Sequence, residues 1–530
     1  MVSIKIKLAV DRSRNRVLFA DVGSEFVDVL LTFVTLPLSA VQFCAAGASS
    51  LGCLSSLRDS VDCLRGSNLL KVDACHGMLL TPPHTHEFSY VHIPSPFVAK
   101  EVIKSVYKRS DLLSLSPWSI ARLCRSAHGP CGSMTCKCHL VMARLMHVYE
   151  QIDRAETFVG GKQRFVISDD CTIKPVSTSS LHSLPQVFGS DGTGHSFEEI
   201  EQLVGWEQIL AILKVSLSSR TVLTDAFLPK GTNHAPAPVT VKQSISLKNL
   251  PSDPDSACSL PESKIKIFYD TWEKKVMYAE CNHEFVDLIL GFMTYPVSSV
   301  IKNTGPGTCH LGFCFDNLYR SVTDLDGAGC LTGGFPKMKL LDPSIMPFDI
   351  SSHATCRALD CRCRKDTMPE LTRYCCHPEI VEDGRYVVGD DLLIHQASAI
   401  SVMKHWCGRS KAMVLEMDIA IGKQEAVALL RAMLTSKMVL TDVFIGRLEE
   451  HSSLQKMQIF ARIPKGKTIT VEVTRSDTIA TVKSRIKEKV SIPAGCRHEL
   501  VYGSRYLKDS CTIGQYKLVS ECTITCEFYK

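Results

Sequence analysis

The sequence lacks the short motifs that identify the common enzyme classes. It contains no Walker loop, no G-x-S-x-G, no H-E-x-x-H and no EF-hand pattern. The usual signatures of phosphate binding, serine hydrolysis, zinc proteolysis and calcium binding are therefore absent. Gly192-Thr-Gly194 is a bare G-x-G without the third glycine of a dinucleotide loop, which is typical of an ordinary loop. No reaction is identified.

Net charge and long apolar runs are also scarce. Sixty Lys and Arg against 55 Asp and Glu give a formal charge of +5, too small to indicate nucleic-acid binding by itself. The segment from Val29 to Leu57 has no charged residue and is long enough to span a bilayer. Because it contains Pro37, glycines and many hydroxyl residues, we expect a buried helix and loop, and no membrane partner.

A secretory leader is not apparent, and this bears on the 24 cysteines. Residues 1–7 alternate between apolar and charged side chains, which predicts a strand rather than a signal peptide. We therefore expect a cytoplasmic or nuclear location, or both. In that reducing environment cysteines are free, metal-bound or redox-active.

Two long segments of the chain resemble each other. Lys5–Val41 recurs 259 positions later as Lys264–Val300, and Leu213–Phe227 recurs as Leu430–Phe444. Such self-similarity predicts two homologous α+β repeats. The expected domains are a first repeat at 1–229, a Pro/Ser-rich linker at 230–262, a second repeat at 263–446, a short linker at 447–456 and a C-terminal module at 457–530.

The coarse pattern within a repeat can be interpreted locally. Alternation over Lys5–Val10 and Arg16–Val22 predicts a β-hairpin, and apolar residues at helical spacing predict a helix over Glu25–Leu36. A second helix is expected over Phe197–Ser216, started by Ser196 and Glu199 as a capping box. Thr221–Leu228 is expected to close the repeat as a strand.

The C-terminal module has the pattern of a strand, a turn, a second strand and a helix. Met457-Gln-Ile-Phe460 is followed by Gly466-Lys-Thr-Ile-Thr470 and then by a helix capped by Ser476 or Asp477. Ile479, Val482 and Ile486 fall on one face of that helix. These residues closely resemble ubiquitin, which implies a β-grasp fold over 457–530 and an ability to bind protein partners.

The module departs from ubiquitin at the positions that matter most for function. Ubiquitin is conjugated through a terminal diglycine, whereas Glu527-Phe-Tyr-Lys530 contains no glycine, so conjugation is not expected. The positions matching the aliphatic recognition patch are Pro464, Val501, Thr525 and Glu527. A carboxylate there is costly to desolvate unless a cation meets it. Ordinary ubiquitin receptors should bind poorly; the alternative is a fold retained without a partner.

The basic excess of the chain lies in this module. Residues 457–530 hold 13 Lys and Arg against 7 Asp and Glu. An acidic partner surface is one interpretation, and a solvated helix face is the other. The candidate partner-binding residues on or beside the helix are Arg475, Lys483, Arg485, Lys487 and Lys489.

A Cys/His pattern occurs once in each repeat. Three thiolates and one imidazole suit tetrahedral zinc, which predicts one structural zinc per repeat. The alternative is a set of inherited small buried residues without metal. The candidate ligands are His128, Cys131, Cys136 and Cys138 in the first repeat and His353, Cys356, Cys361 and Cys363 in the second.

Paired carboxylates are also repeated, as Asp169-Asp170 and Asp390-Asp391. Such pairs can bind a metal or share a proton. They are far more often a turn between two strands, and this is the interpretation we favour.

The two repeats resemble a plant family named domain of unknown function 674. The resemblance is carried by Glu25-Phe-Val-Asp28 with Pro37, by the copy Glu284-Phe-Val-Asp287 with Pro296, and by the closing Val222–Asp225 and Val439–Asp442. It implies a plant intracellular protein with no established activity.

The first functional hypothesis is a non-enzymatic interaction or adaptor protein that docks through a ubiquitin-like domain that is not conjugated. The alternative is a metal-dependent or thiol enzyme that uses the repeated Cys/His or Asp-pair positions. Nucleic-acid binding through the basic face ranks last, because aromatic residues are not interleaved with the basic ones.

Overall fold

The computed structural model shows a mixed α and β protein with three five-stranded sheets. It describes residues 4–45, 52–70, 76, 79–80, 158–161, 163–176, 197–228, 263–305, 311–332, 336–341, 380–409, 413–464, 466–490 and 497–529. Below, the first half means the described residues up to 228, the second half those from 263 to 454, and the C-terminal domain those from 456 to 529. The predicted fold class is confirmed.

The first half has one antiparallel sheet with the strand order β4-β3-β2-β1-β5. A short 3₁₀ turn at Phe33–Thr35 separates its first two helices. The elements are β1 (Ile4–Asp11), β2 (Arg16–Gly23), α1 (Ser24–Thr32), α2 (Leu38–Ala45), α3 (Leu54–Gly66), β3 (Arg164–Ser168), β4 (Ile173–Pro175), β5 (Glu198–Val204), α4 (Trp206–Ser216) and α5 (Val222–Phe227).

The second half repeats this order in a second antiparallel sheet, β10-β6-β7-β8-β9. The shared topology agrees with the internal resemblance, while duplication as its origin stays a prediction. The elements are β6 (Ser263–Asp270), β7 (Lys275–Asn282), α6 (His283–Gly291), α7 (Val297–Thr304), α8 (Phe313–Gly327), α9 (Pro336–Leu341), β8 (Arg385–Gly389), β9 (Ile394–Gln396), α10 (Ala399–Trp406), β10 (Val414–Ile421), α11 (Lys423–Thr435) and α12 (Val439–Leu454).

Both predicted hairpins form, and an aspartate shapes each turn. Asp11 Oδ1 accepts hydrogen bonds from the backbone N–H groups of Ser13 and Arg14 at 2.8 and 3.2 Å. Asp270 Oδ1 does the same for Trp272 and Glu273 at 2.8 and 3.0 Å. A short carboxylate can replace the backbone acceptor that such a turn requires. The local sequence therefore determines these turns.

The two halves exchange one helix each. Helix α3 of the first half packs against β9 of the second sheet, and helix α8 of the second half packs against β4 of the first. Between them the two chain segments pair at Pro37 and Pro296, where Leu38 N donates to Tyr295 O at 3.1 Å. Most of the buried apolar side chains of the two halves consequently form one contiguous core.

Two local predictions near the end of the first half are wrong. Glu198–Val204 is a strand, because it pairs with β1 and its carboxylates meet Lys5 and Lys7 across the sheet. Helix α4 starts only at Trp206, where Gln208 Oε1 accepts from Gly205 N at 3.0 Å, so the capping box proposed at Ser196 and Glu199 does not start it.

The expected closing strand at Thr221–Leu228 is a helix, Val222–Phe227. Its local sequence is rich in β-formers, but Val222 N donates to Asp169 O at 2.7 Å, and Thr224 N donates to Asp169 Oδ1 at 2.8 Å. The aspartate thus satisfies the free N–H groups of a first helical turn. This partner is distant in sequence, so a local pattern could not reveal it.

The predicted linkers have different outcomes. Residues 447–454 are the last two turns of helix α12, which ends at Leu454 and leads into the third sheet at Lys456. The longer linker, 230–262, lies outside the described residues, and the other domain boundaries stay predictions. No helix within the described ranges combines the length and apolar character needed to cross a bilayer.

The C-terminal domain has the expected β-grasp arrangement. Its sheet order is β12-β11-β15-β13-β14, with β11 and β15 parallel at the centre and one helix packed on the sheet. Thr478 caps the helix by accepting from Thr481 N, in place of the predicted Ser476 or Asp477. The elements are β11 (Lys456–Arg462), β12 (Thr468–Thr474), α13 (Ile479–Lys489), β13 (Arg497–Tyr502), β14 (Arg505–Tyr506) and β15 (Thr523–Tyr529).

Candidate protein-docking face of the third sheet

Three of the predicted partner-binding residues come together on the C-terminal domain. Val501 on β13 lies directly opposite Thr525 on β15, and Thr525 in turn lies opposite Arg462 on β11. Pro464 and Thr525 line one open groove of about 550 Å³. We call the surface formed by Arg462, Pro464, Val501, Thr525, Glu527 and Tyr529 the docking face.

Strand alternation explains why these side chains share a face. In β15, Ile524 and Cys526 are buried in the core of the domain, so Thr525 and Glu527 between and beyond them point away from it. In β11, Ala461 is buried and Arg462 is exposed. The candidate positions themselves came from the ubiquitin resemblance, and the alternation explains why they share a face.

Glu527 is held by two tyrosine hydroxyls. Tyr506 Oη donates to Glu527 Oε2 at 3.1 Å, and Tyr529 Oη also donates to Oε2. The two hydroxyl groups are 2.8 Å apart. The hydrogen bond to Glu527, together with the one to Tyr506, raises the pKa of Tyr529 well above its usual value. The carboxylate is thus fixed in position at the surface of the groove.

The tyrosines were not among the sequence candidates. Tyr506 and Tyr529 are 59% and 42% exposed. Tyr529 could have been found, since it lies two residues after Glu527 on the same strand face. Tyr506 comes from a different strand, and only the tertiary structure brings it to the carboxylate.

The basic residues of the helix do not form a single free surface. Lys483 is buried and pairs with Glu499 at 2.7 Å and with Asp509 at 2.6 Å. Burial alone would lower its pKa, but the two carboxylates outweigh burial and raise the pKa of Lys483. Arg485 Nη1 pairs with Asp477 Oδ2 at 2.6 Å. These two cations therefore stabilise the domain itself.

The remaining three basic candidates differ from one another. Lys489 Nζ donates to Thr470 O at 2.9 Å, within the domain. Arg475 Nη2 donates to Thr271 Oγ1 at 3.0 Å in the second half, and burial lowers the pKa of Arg475. Lys487 is exposed on the helix. Whether any of them meets an acidic partner stays a prediction.

Arg475 belongs to a contact between the C-terminal domain and the second half. Beside it, the Lys517 ammonium lies 3.8 Å from the centre of the Trp272 ring, a cation–π arrangement. Ser476 Oγ donates to Ser453 O at 3.1 Å. These contacts use residues other than those of the docking face, so they leave the groove available.

The eight predicted zinc ligands lie outside the described residues. Within the described ranges, no group of three or more His, Cys, Asp or Glu side chains could hold a metal ion. One structural zinc in each half therefore stays a prediction from spacing.

Each aspartate pair forms a turn between two strands, as we favoured. Asp169 accepts from the N–H and the hydroxyl of Thr224 at 2.8 and 2.9 Å, and Asp390 accepts from those of Thr441, both at 2.8 Å. Burial is the main reason that the pKa of Asp390 rises to about 6, and it also raises the pKa of Asp169. Asp170 Oδ1 accepts from Thr172 N within the turn. The described contacts of these carboxylates are structural.

Comparison with protein-family models gives two matches. Residues 1–377 match the family described as "Protein of unknown function (DUF674)". Residues 459–528 match the ubiquitin family. The first match covers more than half of the chain and includes the first half and part of the second, and the second match covers almost all of the C-terminal domain.

Proposed function

Because this chain belongs to the DUF674 family and carries a ubiquitin-family domain, we propose that it is a non-enzymatic interaction protein that binds a protein partner on the docking face. The proposal is docking without conjugation. We further propose that it acts in the cytoplasm or nucleus.

The observation that carries the proposal is the position of Glu527. Two tyrosine hydroxyls hold its carboxylate at an exposed groove next to Val501 and Pro464. A carboxylate that is desolvated by a partner needs a cation to compensate it. A lysine or arginine of the partner would supply that cation through a charge-assisted hydrogen bond.

A second charged residue on the docking face, Arg462, restricts the chemistry of the partner further. Arg462 is exposed opposite Thr525, and Glu527 follows two residues along the strand, about 7 Å further. The docking face therefore presents an acid and a base near Thr525, together with the apolar side chains of Pro464 and Val501. The matching partner carries a basic side chain, an acidic side chain and an apolar side chain on one surface.

The same geometry explains why ordinary ubiquitin receptors should bind poorly. A receptor that presents only apolar side chains would bury Glu527 without a cation, and this costs free energy. Complementary charges give the interface its selectivity, and the apolar residues supply the buried contact area.

The test is a random-peptide selection against the full chain. We expect the selected peptides to contain Lys or Arg next to an apolar residue. Glu527→Lys should weaken their binding at least about tenfold, which corresponds to about 1.4 kcal/mol. The matched control is Glu521→Lys, because Glu521 is exposed on the same domain but is not part of the docking face. Peptides without a basic residue, equal effects of the two variants, or no selected peptide would overturn the proposal.

A further inference from the structure

The exchanged helix α3 brings one cysteine of the first half next to a histidine of the second. Cys63 Sγ lies 3.7 Å from His395 Nδ1 on strand β9, within hydrogen-bonding reach for sulfur. Among the cysteines whose side chains the structure describes, only Cys63 and Cys407 are exposed. The thiol of Cys63 is therefore accessible to solutes and has an imidazole beside it.

The corresponding position in the other half shows that the fold does not require this pair. Ser60 on α3 accepts a hydrogen bond from Ile394 N at 2.9 Å, and Ser321 on α8 accepts the same bond from Ile173 N at 3.0 Å. These bonds align Cys63 with Asp324 and His395 with Lys174. One helix–strand contact thus holds a thiol and an imidazole, and its counterpart holds a carboxylate and an ammonium.

His395 lies within hydrogen-bonding reach of the Cys63 thiol and can act as its base. Cys63 itself lies near the C-terminal end of helix α3. Asp62 beside it is engaged with His76 at 2.6 Å. An imidazole with its proton on Nε2 can accept the thiol proton at Nδ1 and so generate the nucleophilic thiolate.

A second histidine does not oppose this transfer. His405 on helix α10 is near enough to His395 to interact with it electrostatically. Burial lowers the pKa of His405, and Arg409 and His395 lower it further. Burial thus favours the neutral form of His405 beside His395.

We infer that Cys63 is a modification site for low-molecular-weight disulfides, with His395 as its base. The thiol transfers its proton to His395, and the thiolate sulfur attacks one sulfur of the disulfide. A new sulfur–sulfur bond forms on Cys63 while the bond within the reagent breaks. The leaving thiolate takes the proton back from His395, so the protein thiol is oxidised and half of the reagent is reduced to a thiol.

The test uses the full chain and oxidised glutathione as the probe. Samples are quenched with acid at successive times, and mass spectrometry of peptides measures the mixed disulfide at each cysteine. We expect Cys63 to react about tenfold faster than Cys407, the other exposed thiol. His395→Gln should reduce the rate at Cys63 to near that of Cys407 and leave Cys407 unchanged.

Two further variants keep the test decisive. Lys174→Gln changes the corresponding residue of the other sheet and should leave the rate at Cys63 unchanged. If His395→Gln does not fold, as judged by circular dichroism, His395→Asn removes the base with a smaller neutral amide. Equal rates at Cys63 and Cys407, or a rate at Cys63 that neither His395 variant changes, would overturn the inference.

Discussion

Helix α3 meets the second sheet through the same buried hydrogen bond by which helix α8 meets the first, Ser60 to Ile394 and Ser321 to Ile173. One turn further along each helix, where solvent reaches the contact, the two halves hold different residues, Cys63 in one and Asp324 in the other. The two contacts are therefore alike at their buried hydrogen bond and differ where solvent reaches them.

The outer faces of the two sheets also differ, and this difference includes buried side chains. In the second sheet, Phe268 and Tyr278 stack with their ring centres 4.5 Å apart, and Trp406 Nε1 donates to Tyr278 Oη at 2.9 Å. The first sheet has Ala9 and Phe19 at the matching strand positions. Helix α10 thus covers an aromatic cluster on the second sheet that Ala9 cannot reproduce on the first.

A third difference is buried. Asp28 and Asp287 are equivalent residues that accept backbone hydrogen bonds where the chain re-enters each half, at Val159 and at Ile380. Both oxygens of Asp287 accept from Ile380 N, whereas Asp28 Oδ2 is buried without a hydrogen-bond partner among the described residues. Asp28 is therefore the less well compensated of the two carboxylates.

The largest loss of stability is expected from a variant that disrupts the exchange of helices between the two halves. Gly52 precedes α3 with φ +48°, and a Cβ there would lie 2.0 Å from Met433 O. Gly52→Ala should cost at least about 4 kcal/mol of unfolding free energy, because backbone must move and the conformation is strained. Urea denaturation measures this cost.

Two glycines serve as comparisons for that variant. Gly312 precedes α8 with φ +113° and would bring a Cβ to 2.3 Å from Ser216 O, so Gly312→Ala should be similarly severe. Gly329 has φ +66° but no heavy atom within 4 Å of the added Cβ, so Gly329→Ala should cost only about 1 kcal/mol. Equal costs for Gly52→Ala and Gly329→Ala would contradict the close approach of the two halves.

The next largest effect concerns the pH dependence of stability, and it tests whether Asp28 is less well compensated than Asp287. Burial is the main cause that raises the pKa of Asp28 to about 7, with a smaller contribution from Glu25. The folded state then binds more protons than the unfolded state between about pH 4 and pH 7, so stability falls as pH rises through that window. Asp28→Asn should remove this loss, which is on the order of 3 kcal/mol between pH 4 and pH 8.

The pH dependence is measured by urea denaturation at a series of pH values. The pKa of Asp390 is raised to about 6, so Asp390 also lowers stability as pH rises, by a smaller amount. The Asp28→Asn variant retains this smaller loss of stability. Asp59→Asn is the control, because Asp59 is exposed on helix α3. If Asp28→Asn has the same dependence of stability on pH as the wild-type protein, Asp28 does not titrate in this window.

The smallest effect tests whether the two exchanged helices are equivalent. Ser60→Ala and Ser321→Ala each leave one buried backbone N–H without its partner, which should cost about 1–2 kcal/mol. The two costs should be equal and should add in the double variant, as measured by urea denaturation. A clear inequality between them would mean that the halves depend on their exchanged helices to different extents.

Local patterns predicted the elements whose partners are close in sequence. The hairpins at Lys5–Val22 and Lys264–Glu280 form because alternation and the turn aspartates lie within a few residues of each other. The same reasoning failed at Thr221–Leu228, where an acceptor at Asp169 induces a helix. It also failed at Glu198–Val204, where pairing with β1 overrides helical spacing.

The residues of the candidate site also separate into those that the sequence indicated and those that only the structure revealed. Pro464, Val501 and Thr525 were candidates because they match positions in ubiquitin, and the structure places them on one face. The pairing of Lys483 with Glu499 and Asp509 and the contact of Arg475 with Thr271 were not predictable, because they join separate elements.

The sequence by itself determined the α+β class, the two similar halves and the ubiquitin-like module, because each depends on periodicity or on residues in short succession. Only the tertiary structure decided that helices α3 and α8 are exchanged, that Tyr506 reaches Glu527 and that Cys63 meets His395. Hydrogen bonds and packing act over a few ångströms in space. Contacts between residues hundreds of positions apart therefore leave no local pattern in the chain.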